Sequence, residues 1–462
     1  MKLAIVTLGC DKNTVDSERY LAGLVGRGAE HTDDLSEADV IVVNTCGFID
    51  AAKQDSIGAL VEAAELKAKG SCRAVVAVGC MVERHKQELL AELPEVDLFL
   101  GTSEIGGLVP ALESRGLLES TDVVRHPGVR LYMGTAPLIR YLKVSEGCDH
   151  GCAFCAIPLM RGRHRSFDVA ALVAEAQLLE SQGARELNLV AQDLALFGRD
   201  RRDGVALPEL LERLVAETSI PWLRLLYLYS AGITPHLMEL MAGESRIVPY
   251  IDMPIQHGSD AVLARMRRPE RASTIRERVG RLRDVIPDVA VRTTCIVGFP
   301  GETDEDFERL EELLDEVRFE RVGVFTYSAQ EGTRAAELAD DVPEVVKRDR
   351  LERLTERQRG ITAERYERHV GRTVEAIVDR AREDGAMEAR VPWQADDIDG
   401  ITRLEGTAAP GSLVRCVIDD VVDDYDFEAR ELCLVRAAPE SGRTPVARSL
   451  PVLDASSASY GR

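Results

Sequence analysis

The chain has 462 residues, 45% apolar and 29% charged, which is ordinary for a soluble globular protein but too long for a single hydrophobic core. Its formal net charge of −22 disfavours stable nucleic-acid binding by broad phosphate neutralisation and suits a basic partner. There is no uncharged apolar run long enough to cross a bilayer, so no membrane span is expected. The amino terminus MKLAIVTLGCDKN lacks the long apolar core and small-residue cleavage site of a signal peptide. The expected compartment is the cytosol, where ten cysteines point to metal or redox chemistry and not to disulfides.

Residues 1–112 repeat one pattern three times: an apolar, β-branched run ends in Cys and an amphipathic stretch follows. The runs are Leu3–Cys10, Val40–Cys46 and Ala74–Cys80. Continuous apolar runs with helical segments between them predict buried parallel strands of an open α/β sheet. The stretch 111–133 reads as a linker. Residues 134–365 form a second α/β unit, with strands expected at Arg140–Ser145, Glu186–Ala191, Leu223–Tyr229, Val248–Met253, Ala290–Val297 and Arg321–Tyr327. Its mainly parallel sheet is expected to be open or closed into a partial barrel. A charged helical connector follows at 344–369. Residues 368–436 carry short strand-like runs at Thr373–Val378, Ala386–Val391, Ser412–Val417 and Ala429–Val435, which predict a small β-barrel. The Ser-, Pro- and Ala-rich tail, 437–462, is expected to be disordered.

Two sets of cysteines carry the chemistry. Cys148, Cys152 and Cys155 stand in a CxxxCxxC run after a predicted strand. Three thiolates so close can wrap one face of a 4Fe–4S cube and leave one iron free to bind a substrate. A zinc site completed by His150 or His164 is the competing reading, although no second CxxC knuckle accompanies it. Phe154, between two of the ligands, is placed to touch a cofactor. Cys10, Cys46 and Cys80 are distant in sequence, but each ends a predicted parallel strand. The carboxyl ends of such strands line one rim of the sheet, where ligands bind. Helices begin just beyond these cysteines, and their amino-terminal ends favour an anionic cluster. Three buried strand-end thiols without a ligand would be the structural alternative.

The CxxxCxxC run at the end of a first barrel strand resembles the radical S-adenosylmethionine superfamily. That resemblance implies a 4Fe–4S cluster whose free iron chelates the methionyl moiety, and reductive cleavage to a 5′-deoxyadenosyl radical. Cys295–Glu302, containing Gly298, resembles the superfamily's later glycine-containing strand near the adenosine. Over residues 1–436 the chain resembles the methylthiotransferase family, in which an amino-terminal domain, the radical core and a TRAM-like barrel follow in this order. The six cysteines map onto that family's two triplets, which implies two 4Fe–4S clusters. Cys72, Cys295, Cys416 and Cys433 have no family match and read as structural.

Within the family, Leu8–Glu18, Gln192-Asp193, Ile157-Pro158 with Arg161-Gly162-Arg163, and Asp252–His257 resemble the RimO-like branch. That branch modifies the β-carbon of an aspartate in small-subunit ribosomal protein S-twelve; the other modifies an adenosine of transfer RNA. Asp11, where a Pro is common, and Ala195-Leu196-Phe197 depart from the pattern. The resemblance implies S-adenosylmethionine contacts at Phe154, Gln192, Gly298 and Glu302, and an electron donor such as flavodoxin. It also implies that one S-adenosylmethionine methylates a sulfur at the Cys10/Cys46/Cys80 cluster and a second yields the radical at the other. The final barrel carries Asp396, Asp397, Asp399, Asp419, Asp420, Asp423, Asp424, Asp426, Glu428 and Glu431. An acidic barrel would steer a basic ribosomal protein better than it would grip RNA. A non-catalytic iron–sulfur carrier is a further reading, but it leaves the sheet-plus-barrel layout unexplained.

Overall fold

A computed structural model of the chain describes residues 1–70, 72–118, 130–131, 138–383, 385–396 and 398–439. The first sheet contains strands β1 (Lys2–Thr7), β2 (Glu30–His31), β3 (Val40–Thr45), β4 (Ala74–Gly79) and β5 (Leu98–Gly101). All pairs are parallel, in the order β2-β1-β3-β4-β5. Strands β3 and β4 are buried along their whole length, which is why they are apolar except for Asn44 and Thr45 at the end of β3. The crossovers are helices α1 (Asp11–Val25), α2 (Asp50–Ala68) and α3 (Cys80–Glu92), and α4 (Leu108–Ser114) follows β5. The three cysteine-terminated strands are β1, β3 and β4, neighbours at the centre of the sheet. The edge strands β2 and β5 are too short to leave a clear apolar run.

The next sheet is built from β6 (Ile139–Lys143), β9 (Glu186–Val190), β10 (Trp222–Leu225), β11 (Ile247–Asp252), β12 (Ala290–Val297) and β13 (Arg321–Thr326). They run β13-β12-β11-β10-β9-β6, all parallel and open between the two edges. A two-stranded ribbon, β7 (Ser145–Glu146) with β8 (Arg165–Ser166), stands just beyond β6. The strand expected at Leu223–Tyr229 stops at Leu225. Tyr227 takes a left-handed conformation, φ 64°, and donates its N–H to the Asp252 carboxylate at 3.2 Å.

The last sheet is a closed barrel of β14 (Thr373–Ala381), β15 (Met387–Arg390), β16 (Thr402–Glu405), β17 (Leu413–Val422) and β18 (Asp426–Arg436). It plugs the amino-terminal end of the open sheet. Trp222, Val248 and Tyr250 share one apolar core with Trp393, Leu404 and Phe427. Glu186 on β9 is clasped between Arg224 on β10 and Arg390 on β15. The carboxyl ends of the open sheet are thereby left for chemistry. The helix Glu344–Glu367 connects the two, close to the expected 344–369.

Several expectations are corrected here. Asp399 and Asp426 are buried and serve the fold: Asp399 accepts from Tyr250 Oη and the Ala395 amide, and Asp426 from the Ile401 amide at 2.9 Å. The acidic face of the barrel therefore comes from Asp419, Asp420, Asp423 and Glu428, which are exposed. Cys72, Cys295 and Cys416 are buried as structural cysteines should be, but Cys433 is exposed on β18. The expected linker is not free throughout. Arg130 within it is 2% exposed and bonded to Glu18 and Glu175. Asp397, most of the linker and residues 440–462 of the tail lie outside the described residues.

Candidate active site

Each cysteine set sits at the carboxyl end of its sheet. Strand ends in a sheet are ~4.8 Å apart, so the ends of β1, β3 and β4 deliver Cys10, Cys46 and Cys80 to one rim. Gly9 makes the close approach possible. Its φ is +94°, and a Cβ there would lie 2.8 Å from the Cys46 Sγ. Cys10 is the residue preceding α1 and Cys80 is the first of α3, so both face the positive end of a helix. Asn13 ties the rim together, donating to the carbonyls of Leu8 at 2.7 Å and Thr45 at 3.2 Å. Ser56 Oγ accepts from the Cys46 amide at 2.9 Å. Burial pushes the Cys80 thiol up to about 12, and the neighbouring Cys10 and Cys46 oppose its ionisation further. Burial likewise raises Cys46. Loading a metal here must expel protons, because thiolates are the ligands.

The second loop leaves the ribbon through Gly147, φ +78°, where a Cβ would collide with the Arg163 carbonyl at 2.1 Å. The Cys148 amide donates to the Gly162 carbonyl at 3.1 Å, closing the loop, and the Ala153 amide to Met266 at 2.9 Å. Burial raises Cys148 to about 11 and Cys155 to about 12. Arg268 directs a guanidinium N–H toward Cys152 Sγ at 3.9 Å and lies 4.0 Å over the Tyr229 ring. A cavity of about 180 Å³ opens beside Cys152, lined by His150, Asp193, Arg199, Tyr229 and Arg267 among others.

The spacing of the donors argues against the zinc alternative, although each histidine keeps one ring nitrogen outside the bonds that follow. His150 is bonded to Asp193 at 2.7 Å and stacked on Tyr229 at 4.1 Å. His164 lies 3.2 Å from Ser166 Oγ and 3.5 Å from Asp200. Among the described residues, the trio of His, Cys, Asp or Glu ligand atoms within 4.8 Å of one another is His85, Glu88 and Glu331. Neither cysteine set is so tight. Ligands ~2.3 Å from one tetrahedral zinc stand ~3.8 Å apart, whereas a cluster takes one thiolate per iron and needs them wider.

Of the expected cofactor contacts, Gln192 has the clearest opening. Its amide donates to Glu146 Oε1 at 2.9 Å, leaving Oε1 buried and without a partner. Phe154 packs with Ala153, Met266, Phe299 and Tyr327 behind the cysteine loop. Gly298 turns its open face to Lys347, and a Cβ would lie 2.3 Å from that side chain. Glu302 accepts from the Phe299 amide at 3.0 Å and Arg350 at 2.8 Å. These two residues shape the loop after β12.

One short helix links the two cysteine sets. Helix α5 (Ile157–Arg161) starts two residues after Cys155, and Ala156, Ile157 and Met160 pack on Cys80. Between the sets runs a buried polar network of Asn13, Asp16, Lys143, Glu146 and Arg161. Sequence reasoning did not assign it. The signals were Asn13, Asp16 and Arg161 within the family motifs and a charge, Lys143, on the strand expected at Arg140–Ser145. A second wall forms where Lys12 Nζ sits 3.3 Å over the Tyr227 ring and Tyr227 Oη donates to Asp11 at 3.1 Å. Beside it Asp252 accepts from Arg292 at 2.9 Å, and burial still raises its carboxyl.

Comparison with known proteins decides the family. Residues 2–101 match the model described as uncharacterized protein family UPF0004, 142–314 the radical SAM superfamily, and 370–431 the TRAM domain. A ribosomal protein uS12 methylthiotransferase RimO from Anaeromyxobacter sp. (strain Fw109-5) is 46% identical over 461 residues, 97% of this chain and 98% of that one. The RimO of Geobacter sulfurreducens is 41% identical, covering 92% and 97%. The chain belongs to the RimO family of radical SAM methylthiotransferases. Membership makes it an enzyme that uses a 4Fe–4S cluster and S-adenosylmethionine. Among solved structures, the radical S-adenosylmethionine methyltransferase TsrM from Kitasatospora setae aligns with a TM-score of 0.53 at 14% identity. The alignment covers 70% of this chain and 74% of that one, a likeness of fold alone. No helix among the described residues is long and apolar enough to cross a membrane.

Proposed function

We propose that the chain adds a methylthio group to the β-carbon of an aspartate in ribosomal protein uS12, held between its two cysteine sets. The observation that carries the reading is their apposition across α5, in a chain 46% identical to a uS12 methylthiotransferase. Cys148, Cys152 and Cys155 would hold the radical-generating cluster, and Cys10, Cys46 and Cys80 a second one. When bound, these cofactors supply the adenosyl radical that removes a hydrogen and the sulfur that replaces it.

The chain's own residues bind, orient and exclude water. Glu146 fixes the Gln192 amide and leaves its Oε1 unpaired, the atom that would accept from S-adenosylmethionine. Phe154 supplies apolar contact behind the cysteine loop, while Gly298 and Glu302 set the loop that bounds the adenosine. The wall of Lys12, Tyr227, Asp252 and Arg292 keeps water from the reacting carbon, and Asp11, half-buried beside it, offers a carboxylate to a basic substrate. The exposed acids of the terminal barrel steer that substrate by charge.

The same reading divides the chain into an amino-terminal domain, 1–112, a radical core, 134–365, and a TRAM-like barrel, 368–436. It takes the electron from a donor such as flavodoxin and places the work in the cytosol. The test is anaerobic reconstitution with S-adenosylmethionine, a reductant and either uS12 or transfer RNA. A methylthio mass gain on the uS12 aspartate and none on RNA is expected. Gain on adenosine alone would overturn the substrate, and failure to form 5′-deoxyadenosine would overturn the radical chemistry.

A further inference from the structure

Arg161 is the last residue of α5, so it leaves the Cys148–Cys155 loop directly. Its guanidinium does not stay there. Nε donates to the Cys80 Sγ at 3.2 Å, and Nη2 donates to the Asn13 Oδ1. Nη1 donates to Asp16 Oδ2 at 2.6 Å and to Glu146 Oε2 at 3.2 Å. The side chain is 5% exposed. An arginine so buried is costly unless its N–H groups are used, and here the fork is spent on four partners, from α1, α3 and the ribbon strand β7. Lys143 completes the group by pairing with Asp16 and Glu146, so two cations face two carboxylates and the local sum is zero. Glu146 in turn holds Gln192. One continuous set of contacts therefore runs from the first cysteine loop to a sulfur of the other set.

We propose that Arg161 is a positioning residue. It fixes the second cluster against the first and raises that cluster's reduction potential through an N–H···S bond and a compensated positive charge. Hydrogen bonds to cluster sulfurs and local net charge are two of the levers that set such potentials. The inference rests on the two-cluster reading above. Replacing Arg161 by Gln leaves Asp16 and Glu146 facing only Lys143, one net negative charge beside the cluster, which resists the added electron. Replacing it by Lys keeps the charge but loses the planar fork that reaches sulfur and carboxylate together.

The experiment is an EPR-monitored reductive titration of the reconstituted full chain as wild type, Arg161→Gln and Arg161→Lys. Cys46→Ala and Cys152→Ala, each lacking one set, assign the two signals. The second cluster's midpoint should move to more negative potential in Arg161→Gln and by less in Arg161→Lys, with the first cluster's midpoint unmoved. Arg161→Lys keeps the test decisive should the Gln variant not fold. Unchanged potentials in both variants, or an equal shift of both clusters, would overturn the role of Arg161. Iron for only one cluster in the wild type would instead overturn the two-cluster reading.

Discussion

Glu186→Gln tests whether the terminal barrel is an integral plug of the radical core. Glu186 accepts from Arg224 Nε at 2.6 Å and from Arg390 Nη1 at 2.6 Å, and all three side chains are at most 2% exposed. Burial disfavours the carboxylate, but the two guanidinium groups overcome that and hold it below its usual range. The Gln variant keeps the shape but turns an amide N–H toward a buried cation. Breaking a buried pair in this way costs ~3–5 kcal/mol. Arg390 keeps Asp379 at 2.8 Å, and Arg224 keeps the Pro392 carbonyl at 2.8 Å. The low end, ~3 kcal/mol, is therefore expected, or ~1 M or more in urea midpoint for ordinary slopes. The chain has two tryptophans, Trp222 and Trp393, and both lie in the apolar core beside this contact, so fluorescence reports it directly. Asp424→Asn, at an exposed pair with Arg359, should leave the midpoint in place. A shift for Glu186→Gln no larger than that of Asp424→Asn would refute the reasoning.

Cys152→Ala should abolish 5′-deoxyadenosine formation, measured by chromatography under reducing conditions; full cleavage would show that another set holds the radical cluster. Cys46→Ala should retain cleavage and stop methylthio transfer, and persistent product would remove the second set from the sulfur chemistry. His369 is stacked on Trp393 at 3.7 Å, and burial, with Arg368 and Arg372, lowers its pKa from 6.5 to about 3. The folded chain thus keeps it neutral while the unfolded chain takes up a proton below 6.5. Its contribution to stability is complete above that pH and is lost as pH falls, at up to ~1.4 kcal/mol per pH unit. His369→Phe should flatten urea stability between pH 6.5 and 5 relative to wild type, and an unchanged slope would disprove the linkage.

Much of the candidate site was legible in the sequence because the cysteines of one set end apolar runs. Short stretches rich in β-branched residues, such as Val40–Thr45, favour buried strands, and a Cys just beyond the end of each parallel strand lands on one rim. The CxxxCxxC spacing is local and needs no fold to be read. The connections between the sets were not legible. Arg161, Asp16 and Glu146 are charged, and charge pattern alone assigns such residues to the surface. Their burial follows from partners distant in sequence, as with Arg161 and Asp16. The acidic barrel misled for the same reason: Asp399 reads as a surface charge until the Tyr250 hydroxyl meets it. The strand at Leu223–Tyr229 was overextended because nothing in its apolar run announces the left-handed Tyr227.

Intact-mass and tandem mass spectrometry of uS12 from a strain lacking this gene, against the complemented strain, tests the central claim most directly. Loss of one methylthio mass from a single aspartate is expected, restored by wild type but not by Cys46→Ala or Cys152→Ala. An unchanged uS12, with thiomethylated adenosine missing from transfer RNA instead, would contradict it.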